Sequence, residues 1–386
     1  MNFVIKQLDS QYVWLVGSRM SLAAITFAII YMAKVINFEF ASYIASGVTL
    51  GFALSAFDGG EILKLRQAIQ LNKLCKINTK FILTSQISGL LIIYFIGRYF
   101  FKLNISNIEF YYLTITTLFI SINVIIQQYT ITIGNKKDIK NSIIYYFLTL
   151  TFLLLFFKFF KSYIFYFVFL NFITLLSIIY FLVFNRKFNI NKFEIIFKIN
   201  HDFYNSFALF ISNLIFSLVP LLFSSENKAD FGIIVSTSRM FSGYCSGFIQ
   251  LLLIRSHYEG SFKYKIVKYL PVFSAFFSTA GPVIFIYFLN GNLLEDFWSK
   301  KYILIFVFIY SLMQSTGIIL FIRCQYLIKN SYFMTYNTLF QCLIIYFSYI
   351  SSSINALTFM ILEIFFMLCS ILYHIFLIRC NDENFI

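Results

Sequence analysis

Long apolar runs recur along the whole of this 386-residue chain, and they limit its fold more than any other feature. Each run has about 18 to 25 residues, the length at which an α-helix crosses roughly 30 Å of hydrocarbon. Hydrophobic residues make up 60% of the chain, charged residues make up 12%, and the mean hydropathy is +0.81. Because a soluble domain does not show this balance, the sequence predicts an all-α polytopic membrane protein.

We predict twelve transmembrane helices, six in each half of the chain. They span residues 12–33, 40–57, 81–101, 110–132, 143–157, 163–184, 203–223, 231–253, 269–289, 302–322, 332–350 and 354–378. The predicted architecture is two six-helix bundles, residues 1–200 and 201–386, around a central cavity.

The basic residues indicate how these helices are oriented. Of the 30 Lys and Arg residues, 21 fall at one set of alternate helix ends, eight fall at the opposite set, and Arg239 stands within a helix. Basic residues favour the cytoplasmic side in short loops, so both termini are predicted to be cytoplasmic. The net charge of +14 is then a matter of topology, and nucleic-acid binding is not expected.

The two halves of the chain also resemble each other. A shift of 191 residues places Glu39 over Asp230 and Phe40 over Phe231, and it carries the first six predicted helices onto the last six. Each half has an even number of crossings, so the copies have the same orientation. This is the parallel-repeat arrangement of some transporters, in which the substrate path lies between the halves.

Arg239 lies at the centre of the predicted eighth helix, where a charge costs at least a few kcal/mol. At helical spacing it shares a face with small and polar residues, including Ser236, Ser242 and Gly243. Such a face either lines a hydrated cavity or packs closely against another helix. An ion pair with Glu363, or a hydrogen bond to a neighbouring carbonyl, is the structural alternative.

Three more charged side chains lie in or beside predicted helices. Arg19 lies one to two turns inside the first helix, where it either faces the cavity or extends to the cytoplasmic interface, and Lys34 at the far end of that helix is either a cavity residue or an interface anchor. Glu363 is the one acid deep within a predicted helix, either shielded or paired, or coupled to transport by titration. We predict substrate contacts for Arg239, Arg19 and Lys34, and ion coupling for Glu363.

The second predicted helix has a packing face and a defined end. Small side chains at Ala41, Ala45, Thr49 and Ala53 follow fourfold spacing and favour close helix packing. Asp58, Gly59 and Gly60 then break the helix, and we interpret them as a helix end or hinge. The three His and six Cys residues are scattered, so no metal site, disulfide framework, cofactor or catalytic group is predicted.

These residues resemble a known family. Twelve predicted helices in two like-oriented halves, a first helix with Arg19, a second that begins E-F-A-S-Y and ends F-D-G-G, and an eighth that begins A-D-F-G are similar to the multidrug/oligosaccharidyl-lipid/polysaccharide (MOP) superfamily, especially its Wzx-type polysaccharide flippases. The related lipid II flippases carry cavity arginines on the first and eighth helices, the helices of Arg19 and Arg239. This chain departs from the lipid II flippases because it lacks an acid next to Arg19 and has no helices beyond twelve.

The resemblance implies transport of an undecaprenyl-pyrophosphate-linked oligosaccharide across a bacterial inner membrane, through a basic cavity, for O-antigen or capsular polysaccharide biosynthesis. A polysaccharide polymerase and a chain-length regulator are the implied protein partners, beside the lipid bilayer. Sugar contacts would be spread over polar side chains such as Asn123, Gln127, Asn213, Gln250 and Gln314, for which interhelical hydrogen bonding is the alternative. Two competing functions are a multidrug antiporter of the same fold, with an acidic cavity, and a membrane polysaccharide polymerase.

Overall fold

The described part of the chain is entirely helical in its regular structure. The computed structural model describes residues 10–62, 64–65, 78–100, 106–133, 136–156, 162–186, 201–218, 241–245, 249, 269–289, 301–327 and 356–382. The helices are α1 (Ser10–Ile36), α2 (Phe38–Ser55), α3 (Thr79–Phe95), α4 (Asn107–Ile133), α5 (Lys136–Phe156), α6 (Tyr163–Arg186), α7 (His201–Leu218), α8 (Leu270–Leu289), α9 (Lys301–Leu327) and α10 (Ala356–Asp382). Residues 241–245 are also helical, and α3 continues as one π-helical turn, Ile96–Phe100.

Most of the predicted helices are confirmed as helices. Ten of them coincide with α1 to α10, whereas the eighth is described only at residues 241–245 and 249, and the eleventh lies outside the described residues. Within the part that the structure describes, five helices are long and apolar enough to cross a membrane, and these are α1, α3, α4, α5 and α6. The count of twelve crossings stays a prediction.

The fifth predicted helix begins later in the chain than the helix that the structure shows. The fifth helix was expected from residue 143, where the apolar run begins, but α5 begins at Lys136. Its first two turns are polar in sequence, yet Asp138, Ile139 and Ser142 are buried. A helix continues past the edge of its apolar run when its polar turns also pack against protein.

The chain separates into two compact units, Met1–Ser206 and Phe207–Ile386. In the first unit α2 packs along α4, α1 packs along both α2 and α5, and α4 also contacts α6. In the second unit α9 packs against α8 and α10. That each half contains six crossing helices, in bundles related by a repeat, stays a prediction.

The contact between α2 and α4 is close because glycines lie in it. A Cβ atom added at Gly51 would lie 2.6 Å from the Cβ of Ile120 and 2.9 Å from the carbonyl oxygen of Thr117. The Thr117 hydroxyl donates a hydrogen bond to the carbonyl oxygen of Gly47, 3.1 Å away. The close packing predicted for this helix is confirmed, since Ala41, Ala45, Thr49 and Ala53 are all buried.

Aromatic side chains join the helix ends on one side of the first unit. The Tyr112 hydroxyl of α4 donates to the carbonyl oxygen of Tyr163 in α6 (2.9 Å), and the Tyr166 hydroxyl donates to that of Ile29 in α1 (3.2 Å). The Phe40 ring of α2 lies 4.8 Å from the Tyr112 ring. The first turns of α2, α4 and α6 therefore meet near the last turns of α1, so α1 runs antiparallel to these three helices.

Candidate functional site

Four of the five predicted sites fall in the described residues. Arg19 and Lys34 lie on α1, Asp58 to Gly60 form the turn after α2, and Glu363 lies on α10. Arg239 lies outside the described residues. Arg19 and the glycine turn belong to the first unit, and Glu363 belongs to the second.

Arg19 lies inside the apolar part of α1, the stretch Gly17–Ile36, with only 7% of its surface exposed. The residue before it ties α1 to two neighbouring helices. The Gln127 side-chain amide of α4 donates to the carbonyl oxygen of Ser18 at 2.8 Å, and the hydroxyls of Ser18 and Ser142 are 3.2 Å apart. Arg19 is thus an interior residue of the first unit, positioned where α4 and α5 contact α1.

Lys34 is not brought close to Arg19. Both residues belong to the continuous helix α1, and 15 residues separate them, which corresponds to about 22 Å along the axis. Lys34 lies in the last turn of α1 and is partly exposed. The two cations therefore lie a little more than four turns apart, with Arg19 nine residues after the start of α1 and Lys34 in its last turn.

The buried amides of α4 make interhelical hydrogen bonds. The Asn123 side-chain amide donates to the hydroxyl of Ser177 in α6 at 2.9 Å, and Gln127 contacts α1 as described above. The side-chain carbonyl oxygens of Asn123 and Gln127 are also buried, and they accept no hydrogen bond from the described part of the chain. Asn213 on α7 is exposed, and Gln250 lies outside the described residues.

Asp138 is a buried charged residue that the sequence analysis did not single out. It lies in the first turn of α5 with 5% of its surface exposed. Ser142, one turn further along the same helix, contacts Ser18. Asp138 is therefore one helical turn away, on α5, from the point where α5 meets the Arg19 segment. The charge count did not show it, because that count considered only the Lys and Arg residues.

The glycine turn after α2 is organised around the Asp58 carboxylate. One oxygen of Asp58 accepts the backbone N–H of Gly60 at 2.9 Å, and the other accepts that of Ile62 at 2.7 Å. Gly59 and Gly60 both have positive φ, +74° and +80°. A Cβ atom at Gly59 would also lie 2.4 Å from the ring of Phe81, so only glycine fits there. The predicted end of the second helix is confirmed, while a hinge role stays a prediction.

Burial raises the pKa of the Asp58 carboxyl to about 6. The hydrogen bonds from Ile62 and Gly60 oppose this shift because they stabilise the charged form, whereas the nearby Glu61 carboxylate adds to it. The hydroxyl of Ser206 in α7 also donates to Asp58, at 3.2 Å. The turn thus contains an enclosed carboxyl group that changes charge near neutral pH.

Three other side chains complete the end of α2, and the sequence analysis did not find them. The Gln86 amide of α3 donates to the carbonyl oxygens of Leu54 (3.1 Å) and Phe57 (2.7 Å), and the Ser121 hydroxyl of α4 donates to the Gln86 oxygen. Glu61 accepts the backbone N–H of Asn78 at 2.8 Å, which joins the turn to the start of α3. These contacts join residues that are distant in the chain, so no local pattern indicates them.

Glu363 is enclosed within the second unit, with 1% of its surface exposed. Phe366 and His374 are buried on the same helix at spacings that place them on the same face. The His374 ring nitrogen Nδ1 lies 2.7 Å from the carbonyl oxygen of Ser370. The buried face of α10 therefore carries two titratable side chains.

The described part of the predicted eighth helix packs between α8 and α9. Ser242 belongs to the face that the sequence assigns to Arg239, and its hydroxyl donates to the side-chain oxygen of Gln314 in α9. The Phe241 ring lies 5.8 Å from that of Phe277 in α8. Where this face is described, it makes an interhelical hydrogen bond.

No protein-family model, curated protein or solved structure matches this chain. Among the described residues, His, Cys, Asp and Glu side chains form no group of three or more that could hold a metal ion. The helices and their interior residues are consistent with a polytopic α-helical membrane protein.

Proposed function

We propose that this chain is a flippase, which moves undecaprenyl-pyrophosphate-linked oligosaccharide units from the cytoplasmic to the outer leaflet of a bacterial inner membrane. The observation that carries the proposal is the burial of Arg19 within an apolar helix. A charge at membrane depth costs at least a few kcal/mol, so charged residues there tend to mark substrate or ion pathways. The family resemblance supplies the substrate class.

The chemistry of the substrate fits an arginine. A pyrophosphate linker is a multiply charged anion, and the planar guanidinium stays protonated and pairs phosphate oxygens two at a time. Lys34 lies about 22 Å further along the same helix, which is about three quarters of the roughly 30 Å hydrocarbon core. Arg19 and Lys34 would then contact the anion near the beginning and the end of its path.

The membrane potential favours export of such an anion. An inside-negative potential contributes about 2.3 kcal/mol per elementary charge for each 100 mV toward outward movement. A multiply charged linker gains this amount several times over, so transport does not require ATP hydrolysis. The translocated units would pass to a polymerase and its chain-length regulator for O-antigen or capsule assembly.

The test is complementation in a bacterium that lacks this gene. Lipid-linked oligosaccharide and surface glycan are measured after expression of the wild type or of the Ala and Lys variants of Arg19 and Arg239. We expect the deletion to accumulate the lipid-linked intermediate and to lose surface glycan. Arg19→Ala and Arg239→Ala should fail to restore export, and the Lys variants should restore part of it, because an ammonium keeps the charge but not the fork.

A matched control tests whether the loss of any arginine impairs export, or only the loss of an arginine at a proposed cavity position. Arg98 lies in the π-helical turn after α3, where it donates to the Asn107 side chain at 2.7 Å. Because Arg98 lies at a helix end, the Arg98→Ala variant should export glycan normally. An epitope tag on each variant reports its level in the membrane. Normal export by both Ala variants would refute the proposed role of the arginines. Single repeat units that reach the surface but are never joined would indicate a polymerase instead.

One observation favours the multidrug antiporter as the second candidate. Asp138 in the first unit and Glu363 in the second are both buried, and buried acids in a membrane protein tend to mark cation or proton pathways. Under that function, the deletion strain should be more sensitive to cationic drugs, with no change in lipid-linked oligosaccharide. Asp138→Asn and Glu363→Gln should then fail to restore resistance, whereas Arg19→Ala should restore it.

A further inference from the structure

The start of α7 is fastened to the turn after α2 by one hydroxyl and one ring. The Ser206 hydroxyl donates to the carbonyl oxygen of Ala56 at 2.6 Å and lies 3.2 Å from an Asp58 carboxylate oxygen. One turn earlier on the same face, the Phe203 ring lies 5.7 Å from the Phe57 ring and 6.0 Å from the Phe81 ring. A polar and an apolar contact thus act at the same place.

This contact completes the capping of α2. The last carbonyl groups of a helix have no partner within it, and they need one where water is excluded. Gln86 serves the carbonyls of Leu54 and Phe57, and Ser206 serves that of Ala56. Loss of the Ser206 hydroxyl would therefore leave a carbonyl without its donor at the turn.

The position of Ser206 in the chain gives the contact its importance. Ser206 is the last residue of the first unit, and α7 continues from His201 to Leu218 in the second unit. The Ser206 contact is therefore made at the last residue of α7 that belongs to the first unit. Any reorientation of α7 at its first turns has to lengthen or break this hydrogen bond.

We propose that Ser206 and Phe203 form a latch, which holds the turn Ala56–Glu61 closed on the start of α7 and opens in each transport cycle. The existence of a cycle rests on the proposed function. The contact is suited to opening and closing because the Ser206 hydroxyl has a single proton to donate, and because the Phe203 ring meets the rings of Phe57 and Phe81 in tilted rather than stacked geometry. When the latch opens, Asp58 loses the hydrogen bond from the Ser206 hydroxyl and keeps those from the backbone N–H groups of Gly60 and Ile62.

Hydrogen–deuterium exchange of the full-length protein in lipid nanodiscs tests whether the latch holds the turn. In Ser206→Ala we expect the amides of residues 56–65 to exchange about tenfold faster than in the wild type, because the part-buried carbonyl oxygen of Ala56 has lost its donor. Phe203→Ala, which removes the ring contact instead, should accelerate the same segment. The matched control is Ser217→Ala, since Ser217 is buried in the same helix but donates only to the Asn213 carbonyl of that helix.

Surface-glycan export tests whether the latch opens during transport. If release of the latch limits the cycle, Ser206→Ala should raise the initial export rate about twofold, and Ser206→Thr, which keeps the hydroxyl, should return it to the wild-type rate. Unchanged exchange in both Ser206→Ala and Phe203→Ala would overturn the latch. Faster exchange with unchanged export would overturn its part in the cycle. Failure of the flippase function itself would appear separately, as a deletion strain with normal lipid-linked oligosaccharide.

Discussion

Asp58 has a carboxyl group that is enclosed by protein and yet satisfied by hydrogen bonds. The Gly60 and Ile62 N–H groups and the Ser206 hydroxyl all point to it. Burial still dominates, and the pKa of Asp58 rises to about 6 from 3.8. At the residue scale, the fold therefore encloses a carboxyl group and stabilises its protonated form relative to its charged form.

The raised pKa of Asp58 predicts a pH dependence of stability. Between pH 4 and pH 6 the folded protein holds a proton on Asp58 that the unfolded chain has lost, so the stabilisation is complete below pH 4 and disappears as pH rises through 6. The shift of roughly two pH units corresponds to about 3 kcal/mol as an upper figure. We expect the unfolding temperature of the solubilised wild type to rise between pH 7.5 and pH 4.5, and that of Asp58→Asn to change less.

Glu109→Gln is the control for this experiment. Glu109 also accepts a backbone N–H, that of Ser106 at 2.9 Å, but it lies in an exposed contact at the start of α4. Its substitution should leave the pH dependence as it is in the wild type. A parallel shift of wild type and Asp58→Asn with pH would contradict the role given to Asp58.

At the scale of elements, nearly all side chains of α2 from Phe40 to Ser55 are buried against its neighbours. Small residues on it allow α4 to approach closely, and the Gly51 position has no room for a methyl group beside Ile120. Close contact of this kind stabilises helix pairs within membranes through van der Waals packing.

Gly51→Ala should therefore weaken the first unit. The new Cβ meets the carbonyl oxygen of Thr117, which is backbone and cannot turn aside, so α2 and α4 have to separate at a cost of about 1 to 3 kcal/mol. Gly317→Ala in α9 is the matched change, because its nearest contact would be 3.9 Å from Ile371. Thermal unfolding in detergent should show a lower midpoint for the first variant only, and equal midpoints would refute the argument.

Gln86 provides the second prediction at this scale. Gln86→Leu keeps a similar volume but removes the side-chain donor to the carbonyls of Leu54 and Phe57, of which Leu54 keeps the Phe57 N–H at 2.9 Å. The loss should cost about 1 to 3 kcal/mol. The comparison is Thr84→Val on the exposed side of α3, where the hydroxyl bonds only to the Lys80 carbonyl of its own helix. If the two variants have the same unfolding midpoint, Gln86 does not cap α2.

At the scale of the whole molecule, hydropathy predicted where the helices lie in the chain but not which polar residues pack between them. The boundaries of α6 and α8 follow from apolar runs, since the end of an apolar run is a property of the local sequence. The start of α5 could not be found in this way because its first turns are polar and buried. For the same reason Asp138 was missed.

The candidate site shows the same division. The end of α2 at the glycine turn could be predicted because Asp-Gly-Gly disfavours a helix. The Ser206 and Gln86 contacts could not, because their partners lie 29 to 150 residues away in the chain. The burial of Arg19 follows from helix packing, and the apolar run alone left interior and interface positions equally open.

Ion coupling through Glu363 is a prediction about the whole transport cycle. If protonation of Glu363 drives a step, Glu363→Gln should abolish the response of glycan export to an imposed proton gradient, because the amide cannot take up a proton. Export is measured in inverted membrane vesicles with and without the gradient, and Glu109→Gln is the control. An unaltered response in Glu363→Gln would exclude this residue as the coupling site.

The start of α7 has a consequence for anyone who divides or tags this protein. Hydropathy makes residue 200 an attractive place for a split gene or an inserted reporter, since no apolar run is interrupted there. Yet the first unit takes its final capping donor from Ser206, six residues further on. A first half made without residues 201–206 would lack the donor for Ala56, and a cut after Ser206 would divide α7. A two-gene version should therefore carry the first turns of α7 in both pieces.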